Sequence, residues 1–294
     1  MLRFLERHTF LSIIILLVAV ILLWMIFAVW PEWLISAIGR KKTFVITLLN
    51  GVTIAGLYFL VASGFTLVFG LMRNVNLAHG SMYLLGGYIG YEVSENSGSW
   101  FLGLLVAFLV IALSGVLLQT LVFRRMEKEE LRQTLVTIGI SIIAADLMLA
   151  IWTGTTYQFS PPDWLFGSSV LPIISVIKSS GKVIFIKYPV FRIAVLIVAV
   201  FVGIILWLFL NKTKIGMMIR AGVNDREMLS ASGVNVQLIF AIVFAIGAGL
   251  AGFAGVVGGT ALSIAPGEDI RYLLASLIVV IVGGLGSVTG VSIG

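Results

Sequence analysis

The 294-residue sequence is 60% hydrophobic and only 11% charged, with a net charge of +6 and a mean hydropathy of +1.14. A soluble domain carries roughly 25% charged residues, so this composition excludes a soluble protein and indicates that most of the chain lies in lipid. The absence of cysteine and the presence of only two histidines exclude disulfides, thiol catalysis and a histidine-rich metal site. The basic residues are scattered between apolar runs, which excludes a nucleic-acid surface and makes the lipid membrane the expected anionic partner.

Apolar runs of about 20 residues with little or no charge predict at most eight membrane-spanning helices. In chain order, the predicted spans are 10–30, 44–70, 75–91, 100–123, 134–152, 190–210, 236–260 and 272–292. Backbone groups in lipid must be paired within the segment, which favours helices, and the alternating pattern of a membrane barrel is absent. The predicted fold class is therefore an all-α, polytopic transmembrane helical bundle.

The first predicted span lies in an N-terminal extension, residues 1–42. Arg3 and Arg7 precede its apolar run, as they would in a cleaved signal peptide. The run is longer than a signal core, however, and 30–33 (Trp-Pro-Glu-Trp) is a poor cleavage site, so a retained anchor is favoured.

The loops give only a weak indication of orientation. With the N-terminus inside, 11 lysines and arginines lie inside and 8 outside. The longest outside connection is 153–188, and two short β-branched runs within it, 173–177 and 183–187, predict a hairpin. Two interpretations of this hairpin stay open: contact with an external partner, or a cap over helix ends.

Two parts of the chain share one pattern, in which a glycine-rich apolar span is followed by a polar break and a second apolar span. The breaks are 72–80 and 263–269. Because the two pairs enter the membrane from opposite sides in this topology, they predict an inverted repeat with a solute path at its interface. The alternative is that glycine, present 32 times, only serves close packing of membrane helices.

Three segments resemble the branched-chain amino-acid permease family of ABC importers. Residues 64–80 combine Gly-Phe-Thr-Leu-Val-Phe-Gly with Asn-Leu-Ala-His-Gly, which is similar to the signature of that family. The second segment is 220–235, and the third joins 244–255 with 283–287. Together these matches extend over most of the chain.

The resemblance implies an ABC importer permease fold over residues 43–294, placed in the bacterial plasma (inner) membrane as a multi-pass protein. Relatives usually begin after residue 42, so the extension has no assigned role. They also continue past Gly294, so the C-terminus is shorter than the family pattern.

The resemblance further implies a cytoplasmic coupling segment, residues 211–235, on which a separate ATPase subunit docks. Glu227 and Gly233 keep the spacing of the family's docking helix, whereas Met228 and Leu229 replace its alanines. The other residues assigned to ATPase coupling are Arg220, Asp225 and Arg226.

Local chemistry agrees with a short helix in this segment. Asp225 and Glu227 are acidic residues of the type that favours a helix start, and Gly233 stands where such a helix would end. The side chains expected to form a small apolar face for a groove on the ATPase are Met228, Leu229 and Ala231.

Polar residues around the first break are candidates for the translocation path or a gate. They are Asn74, Asn76, His79 and Gly80. The structural alternative, in which their polar groups satisfy helix ends at a bend, is favoured. Asp146, the one carboxylate within a predicted span, is a further candidate for the translocation path or a gate. We expect it to point into the bundle and hydrogen-bond to a neighbouring helix or to cavity water.

These patterns predict a non-enzymatic permease subunit that forms half of the path for branched-chain amino acids or a related small solute. A Walker motif and a catalytic constellation are absent from the sequence, so no cofactor is expected and ATP is bound by the partner. The implied partners are cytoplasmic ABC ATPase subunits, a second permease subunit (homologous or identical) and an extracytoplasmic solute-binding protein. The alternative is an ion-coupled secondary transporter or channel that acts without an ATPase.

Overall fold

The computed structural model describes residues 20–21, 24–25, 41–72, 75–126, 129–177, 183–284 and 290. Helices dominate this part of the chain. The nine helices within the described residues are α1 (Lys41–Met72), α2 (His79–Ser97), α3 (Trp100–Leu121), α4 (Glu130–Trp152), α5 (Val190–Lys212), α6 (Lys214–Asn224), α7 (Arg226–Ala231), α8 (Val236–Ala261) and α9 (Glu268–Gly283). Short 3₁₀ turns occupy Phe123–Met126 and Asp163–Leu165, and two strands, β1 (Ser168–Ile177) and β2 (Val183–Pro189), form the one sheet of the described residues.

Five helices of the described chain, α1, α3, α4, α5 and α8, are long and apolar enough to cross a membrane. They agree with five of the eight predicted spans, and the chain is an all-α, polytopic membrane protein. The first predicted span, 10–30, lies almost entirely outside the described residues, and the last, 272–292, is described only to residue 284.

The third predicted span, 75–91, differs most from the helix that occupies this region. The helix α2 begins later and continues through Glu92 and Glu95 to a left-handed C-cap at Gly98, whose φ is +66°. The predicted span ended before these two exposed carboxylates because charge is unfavourable in lipid. The helix itself continues, since its last turns extend beyond the apolar region. A glycine in the left-handed region does end it, because that conformation costs glycine little.

The chain divides into two compact units, one of which contains the start of α1 up to Val52 together with residues 167–190. The predicted hairpin is confirmed and is longer than expected, with Ser168 opposite Pro189 and Ile177 opposite Val183. Its turn, 178–182, lies outside the described residues. The family-based division at residue 43 stays a prediction.

The second unit, residues 53–166 and 191–294, is organised around α8. This helix is the most deeply buried of the five candidate spans and packs against α2 and α3. A Cβ on Gly255 would lie 2.7 Å from the backbone nitrogen of Gly87, and one on Gly252 would lie 3.0 Å from the backbone oxygen of Ala107. The glycines of α8 therefore allow backbone-to-backbone contact, the close packing expected of small residues in membrane helices.

Two helix pairs of this unit, α1–α2 and α8–α9, correspond to the predicted repeats. The break between α8 and α9 is residues 262–267, and the described part of the break between α1 and α2 is residues 75–78. Tyr83 and Tyr272 occupy the same position in α2 and α9, and their rings stack with centroids 4.1 Å apart. Contact between equivalent residues is what a local two-fold axis produces, so this geometry supports the inverted repeat.

Candidate functional site

The polar residues at the start of α2 make contacts within the fold. His79 is almost fully buried, and its Nε2 lies 3.1 Å from the backbone oxygen of Val61. Its ring meets Phe65 edge-on, with centroids 5.4 Å apart. Buried Asn76 accepts a hydrogen bond at Oδ1 from the backbone nitrogen of Ala78, over 3.1 Å. Both side chains thus engage main-chain groups, which favours the structural interpretation.

Polar contacts also fix the start of α2 to α4. The backbone nitrogen of Leu77 donates to Oγ1 of Thr137 over 3.2 Å, and the hydroxyls of Ser81 and Ser141 lie 2.9 Å apart. Such interhelical hydrogen bonds are each worth about 0.6 kcal/mol on average in membrane proteins. The segment around His79 is therefore packed against α4. Asn74, the remaining polar candidate, lies outside the described residues.

Gly80 allows close contact between α2 and α9. A Cβ at this position would collide with the backbone oxygen of Asp269 and lie 2.8 Å from Cβ of Leu273. Gly80 and Asp269 are also counterparts, each the second residue of its helix. This glycine is thus explained by packing at the repeat axis, and its assignment to a gate stays a prediction.

Asp146 does not have the surroundings expected for it. Its side chain is exposed on the outer face of α4 and makes no hydrogen bond or ion pair within the described residues. Its neighbours on this face include Ile142, which is 59% exposed, and Leu149, which is 47% exposed. The expectation of a bundle-facing, hydrogen-bonded carboxylate is wrong for the single chain, because α4 buries the opposite face. A charge at the centre of a membrane helix costs about 2.5–3.5 kcal/mol on insertion scales.

In the coupling segment, α7 forms where the sequence indicates a short helix. Asp225 is its N-cap, and one carboxylate oxygen accepts hydrogen bonds from the backbone nitrogens of Glu227 (2.9 Å) and Met228 (3.0 Å). This cap satisfies two backbone donors that the first turn otherwise leaves free. Gly233 follows with a φ of +81°, in the left-handed region that ends helices.

One face of α7 is anchored to the bundle. The guanidinium carbon of Arg226 lies 4.8 Å from the centroid of the Phe240 ring in α8, within the range of a cation–π contact. Leu229 is buried, whereas Met228 is 69% exposed. The predicted apolar face is therefore partly wrong: Leu229 packs inward, and the apolar residues left for a partner are Met228 and Ala231.

The helix α6 is fixed to the end of the bundle by both polar and apolar contacts. Arg220 donates a hydrogen bond from its guanidinium to Oδ1 of Asn211 at the end of α5, over 2.9 Å. Ile219 is buried in a cluster that includes Leu206 of α5 and Val243 of α8. A force applied to the coupling segment would thus reach two candidate spans directly.

A cleft that the sequence does not indicate lies between α9 and α1. Its volume is about 710 Å³, and its walls are largely apolar. The residues that line it are Tyr58, Gly267, Ile270, Arg271, Leu274, Ala275, Ile278 and Val279. Glu268 holds Arg271 in an ion pair of 3.1 Å at the start of α9. In the sequence, Arg271 followed by apolar residues at helical spacing is only a weak signal of a binding cleft. The fold is needed to place Tyr58 of α1 beside α9.

A second, more polar cavity lies where the 153–188 connection meets the ends of α2 and α3. Its volume is about 460 Å³, and it is lined by Ser94, Glu95, Gly98–Phe101 and Phe159–Trp164. Trp164 and Phe166 next to it are each 70% exposed. Large exposed aromatic side chains of this kind are enriched at protein–protein contacts.

Comparison with known proteins places these features in a family. The family model described as "Branched-chain amino acid transport system / permease component" matches residues 47–294. No solved structure matches the chain.

Curated relatives cover most of the chain. The high-affinity branched-chain amino acid transport system permease protein BraD of Pseudomonas aeruginosa is 28% identical over 84% of this chain and 81% of its own length. LivH of Salmonella typhimurium, with the same description, is 26% identical over 83% of this chain and 80% of its own. The ribose import permease protein RbsC of Haemophilus influenzae is 27% identical over 96% of this chain and 78% of its own.

Proposed function

This chain belongs to the permease-component family of branched-chain amino-acid transport systems, and we propose that it forms half of the solute path of a bacterial ATP-driven importer. A separate ABC ATPase docks on the coupling segment, a second permease subunit completes the path, and an extracytoplasmic binding protein delivers the solute. The complex lies in the bacterial inner membrane.

The main support for this proposal is the structure of the coupling segment. Asp225 caps a helix whose inner face is held by Arg226 and Leu229, while Glu227 and Met228 are exposed. An anchored helix that presents one acidic and one flexible apolar side chain suits insertion into a groove of another subunit. A carrier that works alone has no use for such a helix.

The proposed solute is a branched-chain amino acid. BraD and LivH are named for these amino acids, whereas RbsC, also similar to this chain, is named for ribose import. The cleft beside α9 is compatible with an amino acid, since apolar walls at Leu274 and Ile278 adjoin the charges of Glu268 and Arg271. Solute choice rests mainly with the binding protein, which we place at the polar cavity near Trp164.

Dependence on ATP tests the proposal. In liposomes, the complete transporter with its ATPase and leucine-loaded binding protein is expected to accumulate radiolabelled leucine only when ATP is present on the ATPase side. The purified chain alone is expected neither to hydrolyse ATP nor to concentrate leucine, because it has no Walker motif. Concentrative uptake by the chain alone under a proton or sodium gradient would overturn the proposal in favour of a secondary transporter.

Cysteine labelling tests the orientation on which coupling depends. Because the chain has no native cysteine, single substitutions are free of background. An impermeant thiol reagent is expected to label Ser97→Cys in intact cells and Ser230→Cys only after the membrane is opened. Both positions are exposed in the structure, so access to the reagent depends on sidedness alone. Labelling of Ser230→Cys in intact cells would place the coupling segment outside and contradict its role.

A further inference from the structure

The helix α4 has one buried and one exposed face. Gln133, Thr137 and Met148 are buried against the bundle. The opposite face carries a stripe at helical spacing, which we call the Asp146 stripe: Leu135, Gly139, Ile142, Asp146 and Leu149. Leu135 and Ile142 are each 59% exposed, so the described chain leaves this stripe uncovered.

Asp146 lies well inside the apolar part of α4. At the end of this helix, the indole Nε1 of Trp152 donates a hydrogen bond to the carboxylate of Glu92 over 3.1 Å, which marks the polar boundary. Asp146 precedes Trp152 by six residues, or about 9 Å along the helix axis. Lysine and arginine can extend their charged groups to the interface, but the short stem of aspartate cannot span this distance. Facing lipid, its carboxylate would have neither water nor a partner.

Gly139 leaves space on the stripe for the close approach of another helix. It lies two turns before Asp146, and a Cβ built on it would meet nothing within 4 Å in the described chain. Glycine weakens a helix relative to alanine without any gain in packing where the space is open. Small residues in membrane helices are instead favoured where another helix approaches closely.

We propose that the Asp146 stripe is the contact surface for a membrane helix of the second permease subunit, and that this helix presents a hydrogen-bond donor opposite Asp146. The proposal rests on the proposed function, which supplies that subunit. Polar groups within membrane spans pair with one another, so the donor satisfies the carboxylate that the single chain leaves unpaired.

The chemistry of the stripe argues against a second copy of this chain at the same surface. A two-fold contact brings the same patch of each subunit together. Here it would set Asp146 against a second carboxylate or against leucine and isoleucine, since the stripe contains no donor side chain. The partner therefore differs from this chain on the contacting face.

A photocrosslinking amino acid at Ile142 in the complete, coexpressed transporter tests the contact. Leu113 of α3 is the matched control, because it is also 59% exposed and lies on another helix. We expect irradiation to join Ile142 to the second permease subunit several-fold more than Leu113, at a peptide that carries a donor side chain. Adducts of Ile142 with lipid alone would overturn the proposal. So would a disulfide between two copies of an Ile142→Cys variant.

Substitution at Asp146 tests the donor. Asp146→Asn keeps hydrogen-bonding capacity and is expected to retain the second permease subunit during detergent purification. Asp146→Leu is expected to reduce retention roughly three- to tenfold, because it leaves the donor of the partner helix unpaired. The control Leu147→Ala, at a neighbouring residue outside the stripe that is 57% exposed, is expected to change nothing.

Full retention by Asp146→Leu at wild-type membrane levels would contradict the pairing. If Asp146→Leu does not accumulate in the membrane, the test of the contact is the crosslink from Ile142 in the chain that retains Asp146. If Ile142 does not crosslink to the second subunit but uptake still depends on ATP, the proposed contact would be wrong and the proposed function would stand. If Ile142 crosslinks to the second subunit but uptake needs no ATP, the proposed function would be wrong and the proposed contact would stand.

Discussion

Charge reversal at Glu227 is expected to reduce binding-protein-stimulated ATP hydrolysis and leucine uptake by about tenfold or more, while the chain still accumulates in the membrane. Glu227 is exposed in the first turn of α7, and its side chain makes no hydrogen bond or ion pair within the described residues. Loss of one partner from an interfacial charge pair costs about 2–5 kcal/mol, which is more than tenfold in affinity. The fold loses little, since a lysine at this helix terminus costs only about 0.3–1 kcal/mol.

Glu129→Lys is the matched control for this variant. Glu129 is also an exposed carboxylate on the same predicted side, and its ion pair with Arg132, at 3.1 Å, is a surface pair of the kind that contributes little. We expect its ATPase stimulation and uptake to equal those of the wild type. Wild-type stimulation in Glu227→Lys, measured with saturating loaded binding protein, would remove this residue from the coupling contact.

Gly233→Pro probes the same contact without a change in charge. Proline fixes φ near −65°, whereas Gly233 has a φ of +81°. The connection from α7 to α8 would have to change course and would displace the exposed face of α7. Lost stimulation in both variants, with normal membrane levels, would assign coupling to this helix and not to a single charge.

The coupling helix was predictable because its signals are local. Acidic residues at the start of α7, Asp225 and Glu227, and Gly233 after its last turn act over a few residues, and the structure has them in these places. Orientation of the helix was not predictable from the same residues. Leu229 is buried where α7 packs against α6 and α8, and the cap and end signals of α7 do not specify which face makes that contact.

Asp146 shows a second limit of prediction from one sequence. An aspartate in an apolar span needs a partner, and the sequence alone suggested the chain's own bundle. The fold instead directs Thr137 and Met148 of α4 inward, which turns Asp146 outward. Periodicity places these residues on opposite faces of a helix, but it does not say which face an unseen subunit covers. The expected position of Asp146 inside the chain's own bundle was wrong, and its need for a partner stays a prediction.

The cleft beside α9 and the stacked tyrosines could not be predicted for a related reason. Tyr83 and Tyr272 are far apart in the sequence and become neighbours only when the two repeats pack around their axis. In the sequence, the shared order of apolar span, polar break and second span indicated an internal repeat, and the high frequency of glycine left ordinary close packing as the alternative. In the structure the glycines of α8 serve close packing, and the inverted repeat stays a prediction that the contact of Tyr83 with Tyr272 supports.

Alanine substitution of two glycines is expected to change stability in opposite directions. A Cβ on Gly255 of α8 would collide with the backbone oxygen of Tyr83 and lie 2.7 Å from the backbone nitrogen of Gly87. Neither main-chain atom can move without a shift of α2. Gly255→Ala is therefore expected to lower the free energy of unfolding by about 1–3 kcal/mol, the usual cost of overpacking. At Gly51 of α1 a Cβ would meet nothing within 4 Å.

Gly51→Ala is therefore expected to stabilise the chain by about 0.4–1 kcal/mol, because alanine restricts the unfolded state and fits the helix. Thermal unfolding in detergent, followed by the fraction of monodisperse protein, measures both effects at once. We expect the midpoint to fall for Gly255→Ala and to rise for Gly51→Ala. Because the two variants add the same methyl group, a midpoint for Gly255→Ala at or above that of the wild type would show that α8 and α2 do not touch at Gly255.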